Sequence, residues 1–468
     1  MRDPTSDARS TAWTRARDSL RAWLGGHAVV NSEPFPGLGH VVALAADPLR
    51  LFQELAREHG GVAPLRLGTQ RAWLVTEPAQ AEEIFVTQID RYSRRTVVYD
   101  ALTDFLGRSI LTSEGDDWRR HRRMVQPAFQ RKRLAAFTET IARLTAEHVA
   151  QWRGELDVSE AMMRLTLQIV SETLLGTKTQ HHADDIGAAV DAGQRHTRAA
   201  ITRLFDLPEA IPTPARRNLA RVRGKIDAIA YALIEARRAA GDDGADATSM
   251  LIRARDEHGA PLPPERIRNE LITLLSAGHE TTSNALTWTM MRLSQHPDVA
   301  RRFHDEVDTV LGGRPPTLDD VPRLTFTRWL FDEVLRLHPP AWATGRIALQ
   351  DHRLGDRDVR TDDVILISPY VTQRRPDLWT NPEGFDPARW EALSRRGALP
   401  PFTFFPFGGG RRKCVGESFA YLEAILILAI IGQTIELTLT GRPVVPSPQI
   451  TLGVASGMWM TASPRPPS

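Results

Sequence analysis

The strongest constraint on this chain is one stretch, "PPERIRNELITLLSAGHETTSNALTWTMMRLSQHP" at 263 to 297, which keeps apolar residues at helical spacing for some thirty residues. A helix of that length has to cross the core of its domain. Helical periodicity dominates from about 116 to 337, and "DVSEAMMRLTLQIVSETLLG" shares it, with Ser159 as its expected cap. Strand-like pieces are few: "VAPLRL" and "RAWLVT" early, "DDVILISPY", "IELTLT" and "GMWMTA" late. The expected class is therefore mainly α with small β-sheets.

Length alone suggests about three domains of ~150 residues each. The 468 residues contain no Gly/Ser-rich linker, repeat or low-complexity tract that would divide them, and the main punctuation is "SEPFPGLGH" at 32 to 40. We expect a tail over 1–35 and one compact unit over 36–468. At 42% hydrophobic and 25% charged the composition is that of a soluble globular protein, and no run approaches the ~20 apolar residues of a membrane span. The opening residues lack a signal-peptide core, and a single cysteine excludes an internal disulfide, so a reducing, cytoplasmic setting is expected. A formal charge of +2 offers no dedicated nucleic-acid face.

Four local patterns carry chemistry. In "FGGGRRKCVGES" the only cysteine, Cys414, lies among Phe407, Gly408, Gly410, Arg412 and Gly416; glycines let the backbone approach something flat, and a helix N-terminus with nearby cations favours a thiolate. The lysine and Ser/Thr spacing of a phosphate loop is not met. Ala277-Gly278-His279-Glu280-Thr281-Thr282 sets an acid and hydroxyls in an apolar helix, where a glycine invites a local break. A zinc-protease reading fails because Ser283 stands where the second histidine would be. Glu333 and Arg336 share a helix face, as do Trp118 and Arg122, spacings that exposed ion pairs or a solvated basic helix would also produce.

Together these patterns resemble the cytochrome P450 family of haem-thiolate monooxygenases, of the soluble bacterial type, and the likeness spans roughly residues 36 to 468. The cysteine loop, A-G-x-E-T-T, E-x-x-R and W-x-x-x-R occur in the family's order, and "FDPARW" and Arg346 agree further. The resemblance implies the triangular fold of that family, with haem b between the long central helix and the cysteine-loop helix. It implies Cys414 as the axial iron ligand, and Arg412, Trp118, Arg122 and Arg346 as contacts of the two haem propionates. Glu333, Arg336 and Arg389 become a structural network behind the haem. On the distal side Thr281 orients dioxygen and water, Glu280 relays protons, and Gly278 with Ala277 makes room for oxygen. His279 falls to packing or the pocket.

The implied reaction inserts one atom of O2 into a lipophilic small molecule such as a terpenoid, fatty acid, steroid or polyketide-like compound. NAD(P)H electrons would arrive through a separate ferredoxin and reductase or a flavodoxin-type donor, docked on a basic rim that includes Arg411 and Lys413. A monomer is expected. Tyr99, Phe105, Leu106, Leu204, Phe205, Leu274, Trp342 and Ala343 would supply an apolar substrate wall. Two rivals are a peroxide-using haem enzyme of the same fold and a non-catalytic haem sensor. Gln373 and Arg375 depart from the His and Asp that many members carry there.

Overall fold

The computed structural model describes residues 38–177 and 214–465 except 242, 243, 245, 257 and 398, together with Pro34, 186, 187, 189, 192, 193 and 195–197. Apart from Pro34, the expected tail lies outside the described residues, as do Leu204 and Phe205.

Helix α1 (Pro48–His59) leads into a hairpin, β1 (Val62–Leu67) and β2 (Gln70–Val75). Then come β3 (Tyr92–Ser93), α2 (Val97–Leu106), α3 (Gly115–Val125), α4 (Arg131–Val149), β4 (Gly154–Asp157) and α5 (Val158–Thr173). The second half carries α6 (Pro214–Ala240), α7 (Pro264–Gln295), α8 (Pro297–Leu311), α9 (Thr325–Leu337), β5 (Thr344–Ala348) and β6 (Val364–Ile367). It closes with α10 (Glu417–Thr434), β7 (Ile435–Leu439), β8 (Pro446–Pro448), β9 (Leu452–Val454) and β10 (Trp459–Pro464).

The expected mainly α class with small sheets is what forms. One sheet runs β1-β2-β6-β5-β3; its β2–β6 pair is parallel, with Ala72 opposite Val364, and the other pairs are antiparallel. A second sheet runs β4-β10-β7, and β8 with β9 makes a separate hairpin. The helices pack on each other around a single large apolar cluster in which α7 and α10 are central. Helix α10 has no polar face and, Glu423 included, is buried almost continuously from Phe419 to Gly432, the position a predominantly apolar helix must take in a folded core. Among the described residues it alone is long and apolar enough to cross a membrane, and 72% of it is buried inside the protein.

Two local expectations are corrected. The cap of α5 is Asp157, not Ser159: the Asp157 carboxylate accepts from the Ser159 N–H at 2.9 Å and also from the Ser159 hydroxyl at 2.6 Å. Helix α7 is continuous through Gly278 rather than broken there. The Thr281 and Thr282 hydroxyls donate back to the carbonyls of Ala277 (2.9 Å) and Gly278 (3.3 Å), so both side chains are satisfied within the helix. What Gly278 provides is close packing: a Cβ there would lie 3.2 Å from Val170 Cγ2 of α5.

The acid and base of E-x-x-R are fully buried. Arg336 donates to both oxygens of Glu333 (3.0 and 2.8 Å), and its other N–H groups reach the carbonyls of Gln373, Pro382 and Gly384. Glu333 also receives Arg389 Nε (2.9 Å), the Trp390 indole (3.0 Å) and the Asp386 N–H (3.0 Å). Every charge in the network is thereby met, the condition under which a buried ion pair is tolerated. Gln373 extends it: its amide donates to the Leu335 and Arg336 carbonyls and accepts the Phe405 N–H, each at 3.0 Å. This ties α9 to the strand of chain that enters the cysteine loop. Arg375 pairs with Glu77 and Asp377, both at 2.6 Å. Glu333→Ala should cost about 3–5 kcal/mol, the usual loss when one partner of a buried pair is removed, read by denaturant unfolding of the haem-loaded protein. Arg389→Gln should cost clearly less, because Glu333 keeps its two bonds to Arg336; equal losses would mean that the partially exposed Arg389 carries the network.

Candidate functional site

The cysteine loop is shaped by backbone conformations that favour glycine. Gly408 and Gly410 have φ of 69° and 62°, and a Cβ at Gly410 would meet the Phe85 carbonyl oxygen at 2.0 Å. The Cys414 N–H closes the loop onto the Phe407 carbonyl at 3.0 Å, and the Phe407 ring stands 5.3 Å from Tyr421 of α10. Gly416 is the N-cap of α10 and lies beside the sulfur, where a Cβ would make only ordinary contact with Cys414 Sγ at 3.9 Å. Solvent reaches Cys414, yet burial by the surrounding protein still pushes its thiol above the ordinary value, with Glu417 adding to the effect. The Gly416 N–H, Arg122 and Lys413 act in the expected direction, toward thiolate, but are outweighed. A metal bound at the sulfur reverses that balance, since a coordinating thiol loses its proton outright.

A group of cations lies on the far side of the loop. Arg412 sits over the Trp118 ring at 4.3 Å and donates to the Ser113 carbonyl at 2.8 Å. Arg346 projects from β5 against Phe85, 5.1 Å from its ring. Arg94, which the sequence patterns did not single out, joins them: it bonds the Tyr99 hydroxyl, and its Nε is buried with no hydrogen-bond partner. Burial and Arg94 hold Arg412 down at about 9 and Arg346 at about 10. The carboxylate that offsets both is Glu114, itself bonded to Ser93 at 2.8 Å. Three guanidiniums against one carboxylate leave two positive charges in excess while the Tyr99 phenol is protonated, and its ionisation removes one of them. Arg122 donates to the Lys413 carbonyl at 2.8 Å and so steadies the cysteine loop.

Across α7 the burial pattern changes where the acid and hydroxyls sit. In an otherwise buried stretch Ala277 is exposed, and Ser276, Gly278 and Thr281 are half-buried, so this part of the helix faces open space. Glu280 points elsewhere: it is buried and accepts a hydrogen bond from Thr451. His279 donates from Nδ1 to the Leu275 carbonyl, and burial lowers it to about 4, so the ring is buried and neutral, while its backbone carbonyl accepts from Thr166 of α5 at 3.0 Å.

Of the described residues expected to form the apolar wall, all but Tyr99 fall in two apolar clusters. Phe105, Leu106 and Leu274 belong to the main core, and Phe105 abuts Gly193 so closely that a Cβ there would come within 2.6 Å. Trp342 and Ala343 pack with a smaller cluster that includes Phe52, the Trp342 indole donating to the Gln449 carbonyl at 2.9 Å. The Tyr99 hydroxyl is bonded to Arg94 and lies 3.3 Å from Thr344 Oγ1. Burial pushes its phenol up, but Arg94 and Arg346 more than offset this and hold it at about 7. These assignments were hidden because sequence spacing cannot separate a core-facing from a cavity-facing apolar residue on one helix.

The family model for cytochrome P450 matches residues 31–457. Among curated relatives, the cyclooctat-9-en-7-ol 5-monooxygenase of Streptomyces melanosporofaciens is 33% identical, covering 92% of each chain. The cyclooctatin synthase of the same organism is 36% identical over 92% of this chain and 94% of its own. The pentalenene oxygenase of Streptomyces avermitilis is 32% identical over 87% and 92%. Among solved structures, the heme domain of cytochrome P450DA superposes with a TM-score of 0.82 at 27% identity over 93% of this chain and 97% of that one. The retinoic acid bound cyanobacterial CYP120A1 gives 0.81 at 22% identity over 92% and 98%.

The residues present fit a haem: a reachable lone thiol in a glycine-cleared loop, a helix opening at Ala277, and two excess positive charges with an unpartnered Arg94 Nε suited to a dicarboxylate. This yields a pH prediction. In protein stripped of haem, Tyr99 should ionise as pH rises through about 7 rather than the ordinary value near ~10, read by near-ultraviolet phenolate absorbance. Adding haem should push that titration upward, because carboxylates beside Arg94 and Arg346 disfavour a second anion. An ordinary Tyr99 titration in the stripped protein, unchanged by haem, would contradict the charge count.

Proposed function

Because the chain belongs to the cytochrome P450 family and is a haem monooxygenase that uses O2, we propose that it oxygenates a cyclic terpenoid, with Cys414 as the iron ligand and Arg94, Arg346 and Arg412 holding the propionates. Bound haem supplies the activation of O2 with two electrons, so that one oxygen atom enters the substrate and the other leaves as water. The chain's own residues handle position and protons. Thr281, whose hydroxyl is anchored to Ala277 on the open stretch of α7, orients water and oxygen there. The adjacent Glu280 carboxyl holds and passes the protons that the leaving water requires. Ala277 keeps the helix surface low beside them. The observation that carries the reading is the half-buried Thr281 hydroxyl on the stretch where the core helix opens, with the buried Glu280 carboxyl next to it in sequence. A peroxide-using enzyme or a sensor has no need of the pair.

The terpenoid class is supported by the names of the three Streptomyces relatives. Electrons come from a separate ferredoxin and reductase or a flavodoxin-type donor. The docking surface is best sought on α3, which carries Arg119, Arg120, Arg122 and Arg123 against Asp116 and Asp117. Lys413 and Arg411 beside it pair with Glu417 and Asp90, as Arg119 and Arg120 pair with Asp116 and Asp117, so these cations form one rim with α3.

With a surrogate ferredoxin system and a panel of cyclic terpenes, fatty acids, steroids and macrolides, a cyclic terpene should gain one oxygen atom from O2. Thr281→Ala should keep haem and substrate binding but release much of the reducing power as hydrogen peroxide. Glu280→Gln should instead slow turnover on the order of 10²-fold with a larger solvent isotope effect. Full coupling in Thr281→Ala would reduce that hydroxyl to helix packing, and oxidation of fatty acids alone would remove the terpenoid assignment.

A further inference from the structure

Three residues of α7 spaced by four, Glu280, Asn284 and Trp288, lie along one face of the helix. All three reach the turn of the β8–β9 hairpin. The Trp288 indole donates to the Leu452 carbonyl at 3.0 Å, Asn284 Nδ2 donates to Thr451 Oγ1 at 3.0 Å, and Thr451 Oγ1 donates to Glu280 Oε1. The hairpin comes so close that a Cβ at Gly453 would lie 3.0 Å from Asn284 Oδ1.

These contacts fix the direction of the bond to the acid. A hydroxyl has one proton to give and lone pairs to receive with. Asn284 Nδ2 can only donate, so Thr451 accepts there and its single proton is committed to Glu280. The position of Thr451 is set independently of the carboxylate. The Leu452 N–H is held by the Pro340 carbonyl at 2.9 Å, the Gln449 N–H by the Thr451 carbonyl at 3.1 Å, and the Gln449 carbonyl by the Trp342 indole at 2.9 Å. Thr451 is half-buried and Glu280 buried, so water competes poorly for this bond.

We infer that Thr451, held by Asn284, is a positioning residue that fixes the Glu280 carboxyl for proton delivery, making the carboxy-terminal hairpin part of the proton-handling apparatus. The inference rests on the reading of Glu280 as the proton relay. It adds that the acid works from a fixed orientation, set by a hydroxyl that need not itself touch substrate or oxygen. Pre-organisation of this kind matters because small misplacements of a reacting group are costly.

The test is a kinetic double-mutant cycle on the haem-loaded enzyme, comparing wild type, Thr451→Val, Glu280→Gln and the double variant, with Thr451→Ser as the rescue. Thr451→Val should keep the haem spectrum and the substrate-induced spectral shift. It should slow turnover on the order of tenfold and raise the solvent isotope effect toward that of Glu280→Gln. The double variant should be no slower than Glu280→Gln alone, because a clamp on an acid that is gone has nothing left to position. Thr451→Ser keeps the donor and should return both rate and isotope effect to near wild type. If Glu280→Gln is slow but Thr451→Val matches wild type, or if the two losses multiply, the clamp is refuted while the relay stands. If Glu280→Gln itself turns over normally, the relay reading has failed, and the clamp with it.

Discussion

The organising constraint is electrostatic: three guanidiniums, on Arg94, Arg346 and Arg412, are brought together inside the protein with Glu114 as the carboxylate that offsets them. Such a group is expensive unless something anionic meets it. The protein invests three separate pieces of chain in it: the segment before α2, strand β5 and the cysteine loop. Trp118 and Phe85 provide aromatic faces for two of the cations, a favourable contact that does not neutralise them. A dicarboxylate is the ligand that balances the count, and the same loop that carries Arg412 presents the lone thiol two residues later.

The second requirement is rigidity behind the loop. Glu333 and Arg336 are buried together, and Gln373 carries their network to the Phe405 N–H, so the approach to the cysteine loop is held by hydrogen bonds on its inner side. Gln373 makes this link by using both ends of its amide. Helix α10 contributes the floor. Because it has no polar face it cannot lie at the surface, and it fixes the chain that leaves the cysteine loop against the core.

Much of this was legible in the sequence, where spacing alone carries the information. The cysteine loop, the acid and alcohol of α7, and the E-x-x-R pair could be read because each is local and chemically unusual in its setting. Arg94 was not legible: "RYSRRT" looks like any solvated basic run, and only the fold turns one of its arginines inward. Thr451 was hidden for the same reason, since its bond to Glu280 spans 171 residues of chain. Strands β8 and β5 escaped notice because one is three residues bounded by prolines and the other short and mixed. Gly278 shows the opposite error. A glycine in a helix suggested a break, but its use here is to let α5 approach.

The central claim is that Cys414 and the arginine group hold one haem between them, with the thiolate on its iron. The most direct measurement is the absorption spectrum of the reduced carbonyl complex of the wild-type protein and of Cys414→His. The account predicts the strongly red-shifted Soret band of thiolate ligation in the wild type and its replacement by a globin-like band in Cys414→His. A globin-like band in the wild type, or a red-shifted band that survives the substitution, would contradict it.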